Sequence, residues 1–253
     1  MNDEGAGAAG PEPAAPPATT SRRPPHPSPP TLRIVWLDDD LVVVDKPGDL
    51  AVHRGPHSAP GERFVLQTLR DQILRHLYPV HRLDRQTSGL LAFALSRPMA
   101  ARLQERLAAD YAQKCYLVLC RGETDEQFVS ERPLTDENGV RQPARTEFRR
   151  LATFSRCSLL EARLSTGRTH QIRRHLDHLA HQVIGDRHHG KGRINRWFHA
   201  TYGLPRMFLH ARRLELRHPR NDERLDLRAA LPADLRDFLS RLPDLPAGLL
   251  ARL

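Results

Sequence analysis

The chain is poor in cysteine, in aromatic residues and in long apolar runs, and each shortage removes a class of protein. Its three cysteines, Cys115, Cys120 and Cys157, form no CxxC pair and no finger spacing. A disulfide framework is therefore excluded, and a reducing cytoplasmic compartment is expected. No apolar run approaches the ~20 residues that span a membrane, and no apolar stretch follows a basic start as in a secretory signal. No P-loop occurs, no GxGxxG follows a strand, and no HExxH is present. A bound nucleotide cofactor or a zinc hydrolase thus has no support, and no cofactor is expected. His175, His178 and His181 recur every third residue, a spacing that drifts around a helix, so no metal is expected there either.

What is present divides unevenly. Residues 1–30 hold nine of the 21 prolines and no aromatic residue. Such a segment has little apolar surface to offset its ordering entropy and is read as a disordered Pro/Ala-rich tail. Residues 31–253 are long enough for one domain with a real core. The net charge is +9. The tail carries only Arg22 and Arg23 against Asp3, Glu4 and Glu12, so the excess lies in the folded part. That excess attracts phosphate polymers or acidic surfaces.

Leu32–Asp45 reads LRIVWLDDDLVVVD, two apolar runs joined by three acids, and predicts a hairpin with strands near 32–37 and 41–45. Lys46-Pro47-Gly48-Asp49 then makes a turn. Val65, Leu66, Leu69, Ile73 and Leu77 recur at helical spacing within 62–77. Gly89–Leu95 predicts a buried strand. Ser96 and Pro98 open a helix with Met99, Leu103, Leu107 and Tyr111 on one face. Strands are expected at 115–120, 146–154, 158–165, 208–216 and 224–227. Residues 121–144 read as an extended loop or short edge strands. Thr169 is placed as the cap of a helix reaching about Ala180, with Ile172, Leu176 and Leu179 inward. Residues 183–200 read as a basic, glycine-punctuated loop, and a last helix is expected from about Ala233 to Leu242. Strands outnumber helices and hairpin-like neighbours dominate. The fold class expected is α+β, a single domain with a mixed, mostly antiparallel central sheet flanked by helices and loops.

Two stretches could carry chemistry. In HRLDRQTSGLL, residues 81–91, a lone carboxylate, Asp84, stands between Arg82 and Arg85 in a turn that precedes a buried strand. Guanidinium neighbours favour its charged form, which suits a nucleophile better than a proton donor. The residues alone leave open a structural Arg–Asp pair. In STGRTHQIRRHLDHLAH, residues 165–181, Arg168 and the amides of the helix start converge on a place for an anion, with His170, Arg173 and His175 nearby. The bland alternative is a solvated basic helix face. Tyr116, in the strand CYLVLC, is either core or a stacking platform.

These segments together resemble the RluA family of pseudouridine synthases. The likeness rests on VHRLDxxTSGLL at 80–91, KxY at 114–116, TGRxHQIRxH at 166–175, IGD at 184–186 and LHA at 209–211, and it runs roughly from residue 32 to 230. One departure is Lys46-Pro47-Gly48-Asp49, where the family has its glycine one place later. The resemblance implies an aspartate nucleophile at Asp84, an arginine paired with it at Arg173, a tyrosine stacked on the target uracil at Tyr116, and an arginine at Arg82 that fills the space left by a flipped base. It also implies substrate contacts at Arg168, His170, Gln171 and Leu209. Tyr116, Asp84 and Arg173 are thus the expected catalytic set. KPxxxxVHR at 46–54 and GDRHHGKGRINR at 185–196 resemble a subgroup acting on tRNA, at a uridine in position 65; a monomer is expected. A ribosomal RNA substrate and a non-catalytic RNA-binding module are the alternatives. The second of these requires Asp84 and Arg173 to lie far apart.

Overall fold

The computed structural model describes residues 31–253 apart from 56, 57 and 155. The Pro/Ala-rich segment, and its reading as disordered, lie outside the described residues. The chain begins with the expected hairpin, β1 (Arg33–Leu37) and β2 (Leu41–Lys46). Its acidic turn is tied by Asp38, whose Oδ1 accepts the backbone N–H groups of Asp40 and Leu41 at 2.8 and 2.9 Å. This is how an Asp side chain substitutes for a backbone turn partner. Then come α1 (Val65–Ile73), β3 (Tyr78–Pro79), β4 (Ser88–Ala94) and α2 (Arg97–Ala108). Ser96 caps α2 by accepting the Met99 N–H, and Pro98 sits in its first turn, where a missing N–H costs nothing.

The second half follows with β5 (Gln113–Arg121), β6 (Gln127–Ser130), β7 (Leu134–Thr135), β8 (Arg141–Gln142), β9 (Thr146–Phe154) and β10 (Cys157–Leu164). After these come α3 (Gln171–His178), α4 (Gly192–Tyr202), β11 (Leu209–Arg217), β12 (Arg224–Arg228) and α5 (Ala233–Ser240). One ten-stranded sheet runs in the order β1-β2-β4-β11-β5-β10-β9-β6, with β12 on β11 and β3 on β4. Every pairing in it is antiparallel except β4 with β11, so the mixed α+β architecture is the one observed.

Period-two alternation builds the core on both faces. Along β2, Leu41 and Val43 pack with α2 while Val42 and Val44 pack with α1. Along β5, Leu117 and Leu119 pack with α4 and α5 while Val118 and Cys120 pack with α3. Tyr116 touches both the α1 cluster and the α3 cluster, at the seam between them. At the parallel pairing, Ser88 meets His210 and Gly89 meets Ala211. Gly89 has φ +107°, and a Cβ on it would stand 2.2 Å from the Ala211 carbonyl oxygen, so only glycine lets the two strands close there.

Four expectations are corrected. The helix placed at 62–77 is shorter, Val65–Ile73, because Leu74 turns left-handed and ends it. The loop expected at 183–200 contains α4, whose Ile194, Phe198 and Tyr202 recur every fourth residue; glycines and arginines around them hid that period. Thr169 is not the cap of α3: His170 occupies that place with φ 54°, and no side chain caps the helix. Leu179 and Tyr111, expected on inward faces, lie past the ends of their helices and are exposed.

Candidate active site

The turn bearing Asp84 leads directly into β4, and two buried cations hold it from beneath. Lys46, fully buried, donates from Nζ to the carbonyls of Pro47, Leu50 and Arg85 at 2.8, 2.7 and 3.0 Å. Burial first, and then the charge of Arg206, pull its pKa down to about 7. Arg206 donates to the carbonyl of Gln86 at 2.8 Å and to Ser88 Oγ at 3.0 Å, and it pairs with Asp234 at 2.7 Å. Ser88 Oγ in turn lies 3.0 Å from Nδ1 of His210, whose Nε2 faces the Ala229 carbonyl. A glycine is needed at 48, where a Cβ would stand 2.2 Å from the Arg206 side chain. The displaced family glycine is explained as well: Asp49 takes the left-handed conformation, φ 62°, at the position where the family has glycine. Aspartate is among the few residues that tolerate it.

The arginines beside Asp84 in sequence do not partner it. Arg85 points to Glu62, and Arg82 is exposed with no ion pair among the described residues. The partner comes from α3 instead. Arg173 Nη1 donates to Asp84 Oδ2 at 2.7 Å, while its Nε and Nη2 grip Asp186 Oδ2 and Oδ1 at 2.7 and 2.8 Å. Asp186 is fully buried and also accepts the N–H groups of His188 and His189. Burial works against the charge on Asp186, yet Arg173 and these amides outweigh it and hold the carboxyl below its usual range. Burial opposes Arg173 too, and Asp186 and Asp84 together raise it. The bidentate fork thereby fixes one guanidinium so that its remaining N–H points at Asp84.

His170 completes the surround. Its Nε2 is 3.6 Å from Asp84 Oδ1 and its Nδ1 is 3.2 Å from His189 Nε2. Burial pulls it below its ordinary value more than Asp84 lifts it. Asp84, Tyr116, His170, Arg82, Arg168 and Leu209 all line one cavity of about 510 Å³, together with Lys114 and Thr87. Tyr116 is half-buried there, and burial, then the charge of Asp84, raise its phenol well above the usual value, so it stays neutral. Asp84 and Arg173 are in contact, which is the opposite of what a non-catalytic module requires.

Gln171 is the expected substrate contact that the structure moves elsewhere. Its Oε1 accepts from Arg168 N–H and Thr166 Oγ1, and its Nε2 donates to Arg145 O and Thr146 Oγ1. All four bonds of the amide are spent on holding the 165–171 loop against β9. His175 is likewise committed, to Thr146 Oγ1 and the Arg132 carbonyl. Two residues were not singled out from sequence. Asp186 carried the same signal as Asp84, a lone acid in a basic stretch, for no Asp or Glu occurs between it and Glu215. Thr87 is buried at the cavity wall and its hydroxyl has no hydrogen-bond partner among the described residues.

A mixed sheet that opens a cavity walled by Arg82, Lys114 and Arg168, over a carboxylate held by a buried arginine, suits an enzyme acting on an anionic substrate. Residues 40–178 match the RNA pseudouridylate synthase family, and the chain belongs to that family, as an enzyme of the isomerase class. Among similar proteins, tRNA pseudouridine synthase C of Vibrio cholerae is 38% identical over 231 residues, 83% of this chain and 95% of that one. The protein of the same name from Salmonella typhimurium is 38% identical over 222 residues, 79% and 85% of the two chains. Among solved structures, human RNA pseudouridylate synthase domain containing 4 superposes with a TM-score of 0.69 at 24% identity, over 85% of this chain and 94% of that one. That likeness bears on the fold alone.

Proposed function

We propose that this chain converts a uridine of tRNA to pseudouridine, at position 65 by resemblance, with Asp84 as the nucleophile and with the target base swung out of its helix into the cavity. The observation that carries the reading is the Asp84–Arg173–Asp186 arrangement at the floor of a cavity whose wall includes Tyr116. The reaction breaks the bond from N1 to C1′ and joins C5 to C1′. One proton leaves C5 and one is gained at N1, so nothing is oxidised and no second substrate is consumed. A base paired in a stem is out of reach of any side chain, so it must be extruded. The cavity offers Tyr116 as a stacking face and Leu164, Ile172 and Leu209 as apolar wall. Arg82 occupies the gap left in the stem, a role its resemblance implies and its exposed position on the cavity lining supports. A carboxylate that already accepts from a fixed guanidinium is oriented before substrate arrives, which lowers the reorganisation needed at attack.

Unmodified tRNA and ribosomal RNA transcripts carrying tritium at C5 of uridine test this directly. Release of label from tRNA by the wild-type chain is expected, with Asp84→Asn slower by at least ~10³-fold yet binding tRNA normally. Label released only from ribosomal RNA would move the substrate, and near-wild-type turnover by Asp84→Asn would remove the nucleophile.

A further inference from the structure

The outward face of α4 has no part in the site above. Ile194, Asn195, Phe198 and Tyr202 turn inward, with Phe198 buried against Phe238 of α5. Asn195 accepts the Gly185 N–H at 2.9 Å and donates to the Asp186 carbonyl at 2.7 Å, which ties the helix to the loop gripping Arg173. The opposite stripe, at i, i+3, i+4 and i+7, is Arg193, Arg196, Trp197 and Ala200, all exposed. Trp197 is 49% exposed, and its ring stands nearly perpendicular to those of Phe198 and Tyr202, with centroids 4.8 and 5.3 Å away. The indole is thus braced from within while much of its surface faces solvent. Arg187, Lys191, Arg193 and Arg196 are exposed and have no ion pair among the described residues. The helix starts just beyond His188 and His189, whose rings lie 6.2 and 5.3 Å from that of His170 at the cavity. The loop that leads into the helix thus reaches the cavity, while the stripe itself lies outside it.

We infer that this face of α4 is an RNA-docking surface, with Trp197 stacking on an unpaired nucleobase of the substrate and Arg193 and Arg196 holding the phosphates beside it. The inference rests on the functional reading above and extends it beyond the cavity. An aromatic plane between guanidinium groups matches the two faces that every nucleotide offers, a flat base and a charged backbone. A protein partner of acidic character would meet the arginines equally well, but nothing on the stripe would select it over a nucleobase.

The test measures tRNA affinity at several salt concentrations and tritium release for the wild-type chain and three variants. Trp197→Ala is expected to raise the tRNA Kd and KM at least fivefold with kcat within twofold of wild type, and Trp197→Phe to restore most of the affinity. Arg193→Ala/Arg196→Ala is expected to flatten the slope of log Kd against log salt by about two. The melting temperature serves as the folding control, since all three side chains are exposed. Wild-type modification of tRNA with affinity and salt slope unchanged in all variants overturns the docking surface and leaves the functional reading standing. A wild-type chain that neither binds nor modifies tRNA overturns both.

Discussion

Along the β11–β12 hairpin and the neighbouring β1–β2 turn, arginines meet carboxylates. Arg213 pairs with Asp226 and Glu215, Arg224 with Glu215, Arg228 with Asp226, Arg217 with Asp222, and Arg220 with Asp40. Around the cavity mouth they do not. Arg82 and Arg168, which line it, are exposed and have no ion pair among the described residues, and the same holds for Arg187, Lys191, Arg193 and Arg196 in the segment that leads into and opens α4. The same residue type therefore closes on itself in one region and is left open in the other. Fields of paired charges cancel within a few ångströms, whereas unpaired cations around a concave site sum to a potential that draws in a polyanion. Net charge alone could not make this distinction.

Arg173 is paired and yet turned to the candidate site through Asp84, and its removal should break the contrast most severely. Arg173→Ala leaves Asp186 buried and unpaired and Asp84 unheld. The expected cost is about 3–5 kcal/mol of stability, read by urea unfolding, with tritium release from tRNA falling by at least ~10³-fold. Arg173→Lys keeps the charge but not the three-way fork and should recover stability more than activity. A fully active lysine variant would show that charge, not orientation, is what the site needs.

Acid sharpens the comparison in two windows. His81, whose Nε2 accepts the Ala92 N–H, and His210 are both held near a pKa of about 4 by burial. Their folded values lie below the unfolded 6.5. The stability they contribute is thus fully present above about pH 6.5 and lost as pH falls through 4. The loss is on the order of 3 kcal/mol for each. Asp226, pulled to about 2 first of all by Arg213, contributes above about pH 3.8 and loses that only as pH falls through 2. Melting temperatures should accordingly fall between pH 6.5 and 4, and His81→Gln should blunt that fall. A flat profile down to pH 4 would mean that neither ring is kept neutral by the fold.

The smallest effects should separate the two regions cleanly. Arg168→Ala at the rim is expected to raise the tRNA KM several-fold and to reduce the salt slope by about one, with no change in melting temperature. Arg224→Ala in the hairpin should leave tRNA affinity alone and shift the melting temperature by no more than about 2 °C. Equal effects of the two variants on tRNA binding would erase the distinction.

Much of the architecture was legible before any coordinates. The Asp38–Asp40 turn, the Ser96 cap, the alternation in β2 and β5 and the α+β class are local or periodic properties, and local chemistry decides them. The missed α4 is of the same kind, since its Ile194, Phe198 and Tyr202 repeat was present but masked by glycine and arginine. Likewise the motifs holding Asp84, Tyr116 and Arg173 were read as one candidate site, and Asp84 and Tyr116 line one cavity while Arg173 pairs with Asp84.

What sequence order could not decide is which charge meets which. Asp84 has Arg82 and Arg85 as chain neighbours, yet strand and turn geometry carries both side chains away, and Arg173, 89 residues distant, is the one delivered. Gln171 sits inside the family motif but is consumed by its own loop, because its amide meets four backbone and hydroxyl partners that only the packed sheet assembles. Residue types and their periods thus determined the class of fold and the kind of chemistry. The partner of each charge was decided by tertiary packing, because an ion pair depends on distance and desolvation in space, and neither follows from separation along the chain.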